Sequence, residues 1–292
     1  MIVFIPGVRK LLFWITQVFQ MLHYVLLFAG VLAVSTASIF AVLANAPGIA
    51  ASFWRFLISG IVMGAYYRTF GFRKDVLRYS AIAGLALALH MASWIESLFR
   101  ASVALSTAIV CTHSIFSGIF ASFAGERFRL REVAGIFVAL AGIFLLSGAD
   151  TYAEPAGIVL AFIGAVSGGL YFSLARFSQS VDFRDYVVST YLMAAVFSGL
   201  GAFVLGVSLT GYSAETFFYF VLLAIIPMSF GHTVLNYLIR RMKVVVVTGS
   251  VLGEVAGSAL LAAIFLGQVL TPLAYLYLLV ILVGIYLTTS KS

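Results

Sequence analysis

Of 292 residues, 63% are hydrophobic and only 9% are charged, with a mean hydropathy of +1.14. Soluble domains carry roughly a quarter charged residues, so this composition excludes a water-soluble fold and predicts an all-α integral membrane protein. The net charge of +7 does not signal a nucleic-acid partner, because the cations gather at the ends of apolar runs, where they set membrane orientation.

Residues 1–20 read as a lead-in without a counterpart elsewhere in the chain. Arg9 and Lys10 precede an apolar stretch that continues into the first span, so no cleavable signal peptide is expected, and Met21 is an alternative to Met1 as the start. A spanning helix needs about 20 apolar residues. Ten are expected, near 22–44, 50–68, 79–99, 102–124, 133–149, 156–176, 187–207, 216–239, 244–266 and 273–289. Breakers separate them at Asn45-Ala46-Pro47-Gly48, Glu154-Pro155 and Thr271-Pro272.

Charge tests this topology. Arg68, Arg73, Lys74 and Arg78 follow span two; Arg127, Arg129 and Arg131 follow span four. Arg176 and Arg184 follow span six, and Arg240, Arg241 and Lys243 follow span eight. All of these fall on one side of a ten-span arrangement, with Arg9, Lys10 and Lys291. Arg100 is the only loop cation on the other side, beside Asp150, Glu154 and Glu215. Both termini are therefore expected in the cytoplasm of a prokaryotic cell, with the chain multi-pass in its plasma (inner) membrane.

The chain also repeats itself. At an offset of 132, Ala29, Ala33, Val34, Ser35 and Phe40 fall on Ala161, Ala165, Val166, Ser167 and Phe172. At 142, residues 138–145 fall on 280–287 with five identities in eight, Gly125-Glu126 falls on Gly267-Gln268, and His90 falls on His232. Internal repeats in an apolar chain point to a transporter built of two halves. Five spans per copy is an odd number, so the second copy is expected to be inverted. The halves are placed at 21–150 and 151–292.

Gly125-Glu126-Arg127 with Glu132 and Gly135 resembles the signature after the fourth helix in the drug/metabolite transporter superfamily, specifically its EamA family. Ser35-Thr36-Ala37-Ser38, Phe53-Trp54-Arg55-Phe56, His90 through Trp94, Gly231-His232 and Leu252-Gly253-Glu254 are further matches, covering residues 22–290. The resemblance implies ten helices as two inverted five-helix repeats and a role in moving small metabolites, commonly outward. The chain departs from the family pattern at His113 and Val255, where proline is usual, at Gln268, and at Glu96, where a small hydroxyl residue is common.

Polar groups at bilayer depth are costly, by about 2.5–3.5 kcal/mol for a charged residue on insertion scales. Glu254, in the middle of span nine, suits a group that takes up and releases a proton; the alternative is a structural carboxyl bonded to a neighbouring helix. His90 and His232, equivalent in the repeat, are expected to face each other across a central cavity, with His113 as an unpaired third imidazole. Trp94 and Asn236 lie one turn further along the same faces, although Trp94 also fits an interfacial anchor. Ser35, Ser167 and Tyr171 offer hydroxyls from spans one and six. Arg55, placed near the outer end of span two, and the Glu96/Arg100 pair are expected to frame and gate the outer mouth, or else to be a snorkelling cation and a static surface pair. Gly249, Gly253 and Gly257, with Gly164 and Gly168, read as close-packing surfaces.

The expectation is a secondary transporter of an amino acid or similar amphipathic solute, working by alternating access, with protons as the coupling partner. An uncoupled facilitator of the same fold is the alternative. Behind it come an intramembrane lipid-processing enzyme and a non-transporting scaffold. No cofactor and no metal are expected, since Cys111 stands alone and no nucleotide-binding loop is present. The oligomeric state is not set by the sequence.

Overall fold

The computed structural model describes residues 6–70, 72–147, 154–267 and 271–289, and the described residues contain helices and no strand. Inside a bilayer every backbone polar group must be satisfied within the protein, which a helix does by itself. We number the rods α1 (Pro6–Ser35 and Ala37–Ala44), α2 (Gly48–Tyr67), α3 (Lys74–Ser97) and α4 (Val103–Cys111 and His113–Ser122). They continue as α5 (Leu130–Ser147), α6 (Pro155–Phe177) and α7 (Phe183–Val204). Then come α8 (Ala214–Leu223, a π-helical segment Ala224–His232, and Thr233–Ile239), α9 (Val244–Val251 and Gly253–Phe265) and α10 (Pro272–Thr289). Eight candidates among the described residues are long and apolar enough to cross a membrane; in α10 the apolar stretch is the shorter Tyr275–Thr289.

Local chemistry sets the ends. Asn45 closes α1 in the left-handed conformation, Pro155 opens α6, and the side chains of Ser102, Asp182 and Ser213 accept the first free N–H groups of α4, α7 and α8. Residues 6–20 are part of the α1 rod rather than a separate element.

Four rods are interrupted near their middles, which the hydrophobic pattern does not reveal. At Thr36, Thr112 and Leu252 the backbone N–H turns to the carbonyl three residues back, at Ala33, Ile109 and Gly249. In α8, Pro227 has no N–H to give, and the helix widens so that Thr233 N–H reaches back five residues to Met228 O.

Contacts between the halves are reciprocal. α1 packs on α8 and α9 as α6 packs on α3 and α4; α2 meets α7, α4 meets α9 and α5 meets α10. The last pair shows the relative direction of the copies. Gly135 of α5 lies against Thr288, while Gly142 lies against Ile281 and Tyr277. Sequence equivalents thus run antiparallel, the mark of an inverted repeat. A Cβ on Gly284 would strike Ala139 and Gly135 backbone, whereas one on Gly118 would meet only Phe128 at 3.8 Å. Gly284→Ala is expected to cost about 1–3 kcal/mol and Gly118→Ala almost nothing, read as thermal midpoints in detergent.

The large apolar side chains left exposed, such as Phe28, Phe137, Phe203 and Ile264, point outward, as suits a lipid-facing wall. The cation-bearing loops share one end: Thr69 bonds Asp185, Arg240 bonds Ser178 and Val181, and Lys243 bonds Glu132.

Candidate functional site

At the interruptions the helices enclose a closed central cavity. Its wall takes Ala37 from α1, Arg55 from α2, His90 and Trp94 from α3, His113 from α4, Phe172 from α6, His232 from α8 and Glu254 from α9. The empty space between these atoms is about 340 Å³, but water centres fit in only about 10 Å³ of it, on the order of one water. Both halves contribute. The breaks at Thr112 and Leu252 sit beside His113 and Glu254, and the π segment ends on His232.

Each imidazole is held differently. His90 Nδ1 donates to Gly164 O at 2.7 Å, which fixes its tautomer. Its ring occupies the space that a side chain on Gly168 would fill. His113 stands edge-on to His90 with centroids 6.1 Å apart. Phe172 lies between the other rings, 5.0 Å from His113 and stacked on His232 at 5.7 Å. The repeat thus puts His90 and His232 on one cavity, with His113 and Phe172 completing the aromatic wall.

Several polar atoms in this wall lack a hydrogen-bond partner among the described residues. Arg55 is fully buried, yet none of its three guanidinium nitrogens has a hydrogen-bond partner among the described residues. The same is true of Trp94 Nε1, His113 Nδ1 and His232 Nδ1. Burying such groups unpaired costs of order 1–3 kcal/mol each, and more for a charge. Donors left open toward a cavity fit an acceptor-bearing guest. Glu254, on the same wall, is close enough to Arg55 to share its electrostatic field.

Arg55 differs from its expected position. It lies two turns into α2, not at an outer mouth, because Ser52, Arg55, Phe56 and Ser59 form the buried face of that helix. Trp94 is 2% exposed and lines the cavity, so its place is not an interfacial one. Asn236 stands behind the wall, donating to Tyr171 Oη and to His232 O at 2.8 Å. Ser35 and Ser167 turn away to backbone carbonyls at Val31 and Ile163, and Ser35 seats against Gly257.

Glu96 and Arg100 stay at the cation-poor end. Arg100 pairs with Glu96 at 3.1 Å and with Glu154 at 3.3 Å, and Glu96 accepts Gly48 N–H at 3.1 Å. This cluster joins α2, α3 and the start of α6, and so crosses between the halves. Exposed pairs of this kind contribute about 0–1 kcal/mol.

A second lock, not singled out from the sequence, closes the opposite end. Glu126, with its side chain 7% exposed, pairs with Arg176 at 2.8 Å and accepts Val244 N–H at 3.1 Å. Glu132 takes Lys243 at 2.7 Å. Burial holds the Glu126 carboxyl above its ordinary range, against the pull of Arg176. The motif Gly125-Glu126 was visible; what it bonds, 50 and 118 residues away, was not. Pro227, inside an apolar run, was the available signal for the π segment beside His232. Among the described residues no group of three or more His, Cys, Asp or Glu is arranged to hold a metal ion.

Comparison with known proteins gives two matches to one family model, the EamA-like transporter family, at residues 21–148 and 155–290. The protein called uncharacterized inner membrane transporter YedA, in three strains of Escherichia coli, is 27% identical over 245 residues, covering 80% of this chain and 79% of its own length. A solved crystal structure superposes with a TM-score of 0.76 at 21% identity, over 91% of this chain and 96% of its own, which shows the fold.

Proposed function

This chain belongs to the EamA-like transporter family, and we propose that it carries an amino acid or similar amphipathic solute outward across the inner membrane by alternating access, coupled to protons. Its halves, residues 21–150 and 151–292, rock about the central cavity in a ten-crossing arrangement with both termini in the cytoplasm. The name of the Escherichia coli relative supports the membrane, and the cation-rich end supports the orientation.

The observation that carries this reading is the buried guanidinium of Arg55 without a hydrogen-bond partner among the described residues, in a cavity walled by both halves. Together with Trp94 N–H it offers planar donors to a carboxylate. Phe172 and Met91 offer apolar wall for a side chain. Arg55 takes the solute's carboxylate while deprotonated Glu254, on the same wall, takes its ammonium. Protonation of Glu254 from the outer side releases the solute, so that one proton enters as one solute leaves. The locks at Glu126 and at Glu96, both formed here, open alternately as the halves move.

Flux in sealed proteoliposomes over a panel of amino acids tests this. Solute movement that follows an imposed pH gradient is expected, and no movement for any solute rejects transport of this class. In Glu254→Gln the gradient no longer drives accumulation, while exchange of labelled for unlabelled solute persists. Accumulation that still follows the gradient removes Glu254 from coupling. An uncoupled facilitator is the second reading, favoured by the placement of Arg55 and Glu254 on one cavity wall, where the two charges can offset each other without a proton. It is selected if wild-type flux ignores the gradient.

A further inference from the structure

A long cleft on the lipid-facing side lies between α1, α9 and α10, separate from the central cavity. It encloses about 710 Å³ and is walled almost entirely by apolar groups, among them Phe28 and Val31 of α1, Ala256 and Leu260 of α9, and Leu278 and Leu282 of α10. Its wall on α1 runs from Tyr24 to Ser35, eleven steps of about 1.5 Å, or about 16 Å. That is half of a hydrocarbon core of roughly 30 Å, the depth of one leaflet.

The cleft begins at the cation-rich end, where Tyr24 donates its hydroxyl to Thr289 O at 3.2 Å. Tyr24 also lines a second pocket of about 220 Å³, with Gln20, His23, Arg241 and Lys243. The charges facing this pocket are unequal. Lys243 is already tied to Glu132 and to Arg127 O. Arg241 is exposed, lies over the Tyr237 ring at 3.6 Å and has no ion pair with a described acid. His23 stands edge-on to the same ring.

We propose that this composite cleft binds one anionic phospholipid, with an acyl chain between α1, α9 and α10 and the phosphate at Arg241 and His23. Cationic pockets between membrane helices select anionic headgroups, and an aromatic hydroxyl at the junction suits the interface. A bilayer places acyl chains against every outward wall, and this wall has the depth for one. Because α1 forms a wall of both the cleft and the central cavity, the lipid would brace the helix that borders the transported solute.

Native mass spectrometry of the full-length protein, delipidated and then offered dioleoyl phosphatidylglycerol or dioleoyl phosphatidylcholine, tests the proposal. Wild type is expected to retain phosphatidylglycerol about tenfold better. Arg241→Gln is expected to erase that preference while still binding chains, and Leu282→Trp, which fills the cleft, to lower retention of both lipids. Equal retention by wild type, an unchanged preference in Arg241→Gln, or a lipid-free dimer that needs Leu282 would each overturn it. So would displacement of the lipid by inorganic phosphate alone.

Discussion

Arg55→Met is expected to lower solute affinity about 100-fold or more while leaving the protein at least as resistant to heat as the wild type. The two effects have one cause. Truncating one partner of a buried charge pair costs about 2–5 kcal/mol of binding, and 1.4 kcal/mol is a factor of ten. In the empty protein none of the guanidinium nitrogens has a hydrogen-bond partner among the described residues, so replacing it with an apolar side chain of similar length relieves a desolvation cost. Arg55→Lys keeps the charge without the planar fork and is expected to fall between. Solute binding by calorimetry and thermal unfolding in detergent read the two effects. A melting temperature that drops by many degrees in Arg55→Met would mean that Arg55 serves the fold through Glu254 and not the solute.

The second large effect concerns the lock at the cation-rich end. Glu126→Ala removes both the Arg176 ion pair and the acceptor of Val244 N–H, which join the loop after α4 to α6 and α9. Loss of about 1–3 kcal/mol from one of two balanced states shifts their ratio by roughly tenfold or more. The chain carries its own reporter, since Cys111 is its only cysteine. It is buried between α4 and α9, with its sulfur 4.0 Å from Val251 O. Alkylation of Cys111 by N-ethylmaleimide is expected to quicken about tenfold in Glu126→Ala. It should not change in Asp182→Ala, whose exposed pair with Arg184 is local to one helix end. An unchanged rate in Glu126→Ala would show that this contact does not hold the carrier shut.

Much of the fold was legible because a bilayer leaves few options. Apolar runs must be helices, loop cations mark one end, and the identities between 138–145 and 280–287 foretold that α5 and α10 are copies. The site was legible only in part. His90 and His232 could be paired through the repeat, and Glu254 stood out as a lone carboxyl in the middle of its span. Arg55 was expected near the outer end of span two, whereas its depth follows from which face of α2 turns inward. Ser35 and Ser167 were equally prominent in the pattern, but a helix can absorb a serine hydroxyl at its own carbonyls, and here it does. The Glu126–Arg176 contact joins residues far apart in sequence, and nothing in a single sequence reports such a closure.

The widened segment Ala224–His232 carries a consequence for exchange between the two copies. A π turn holds an additional residue within the same length of rod. Each residue of an ordinary helix advances about 100° around its axis, from 3.6 residues per turn. Deleting one residue between Ala224 and Phe230 is expected to restore a regular helix and leave Thr233–Ile239 facing as they do, with Asn236 still on Tyr171. The same deletion in an ordinary helix would swing everything beyond it by that angle. α3 contains no such turn. The duplicated helices have therefore become distinct parts, and a gene in which α3 overwrote α8 would lose this tolerance of a one-residue deletion.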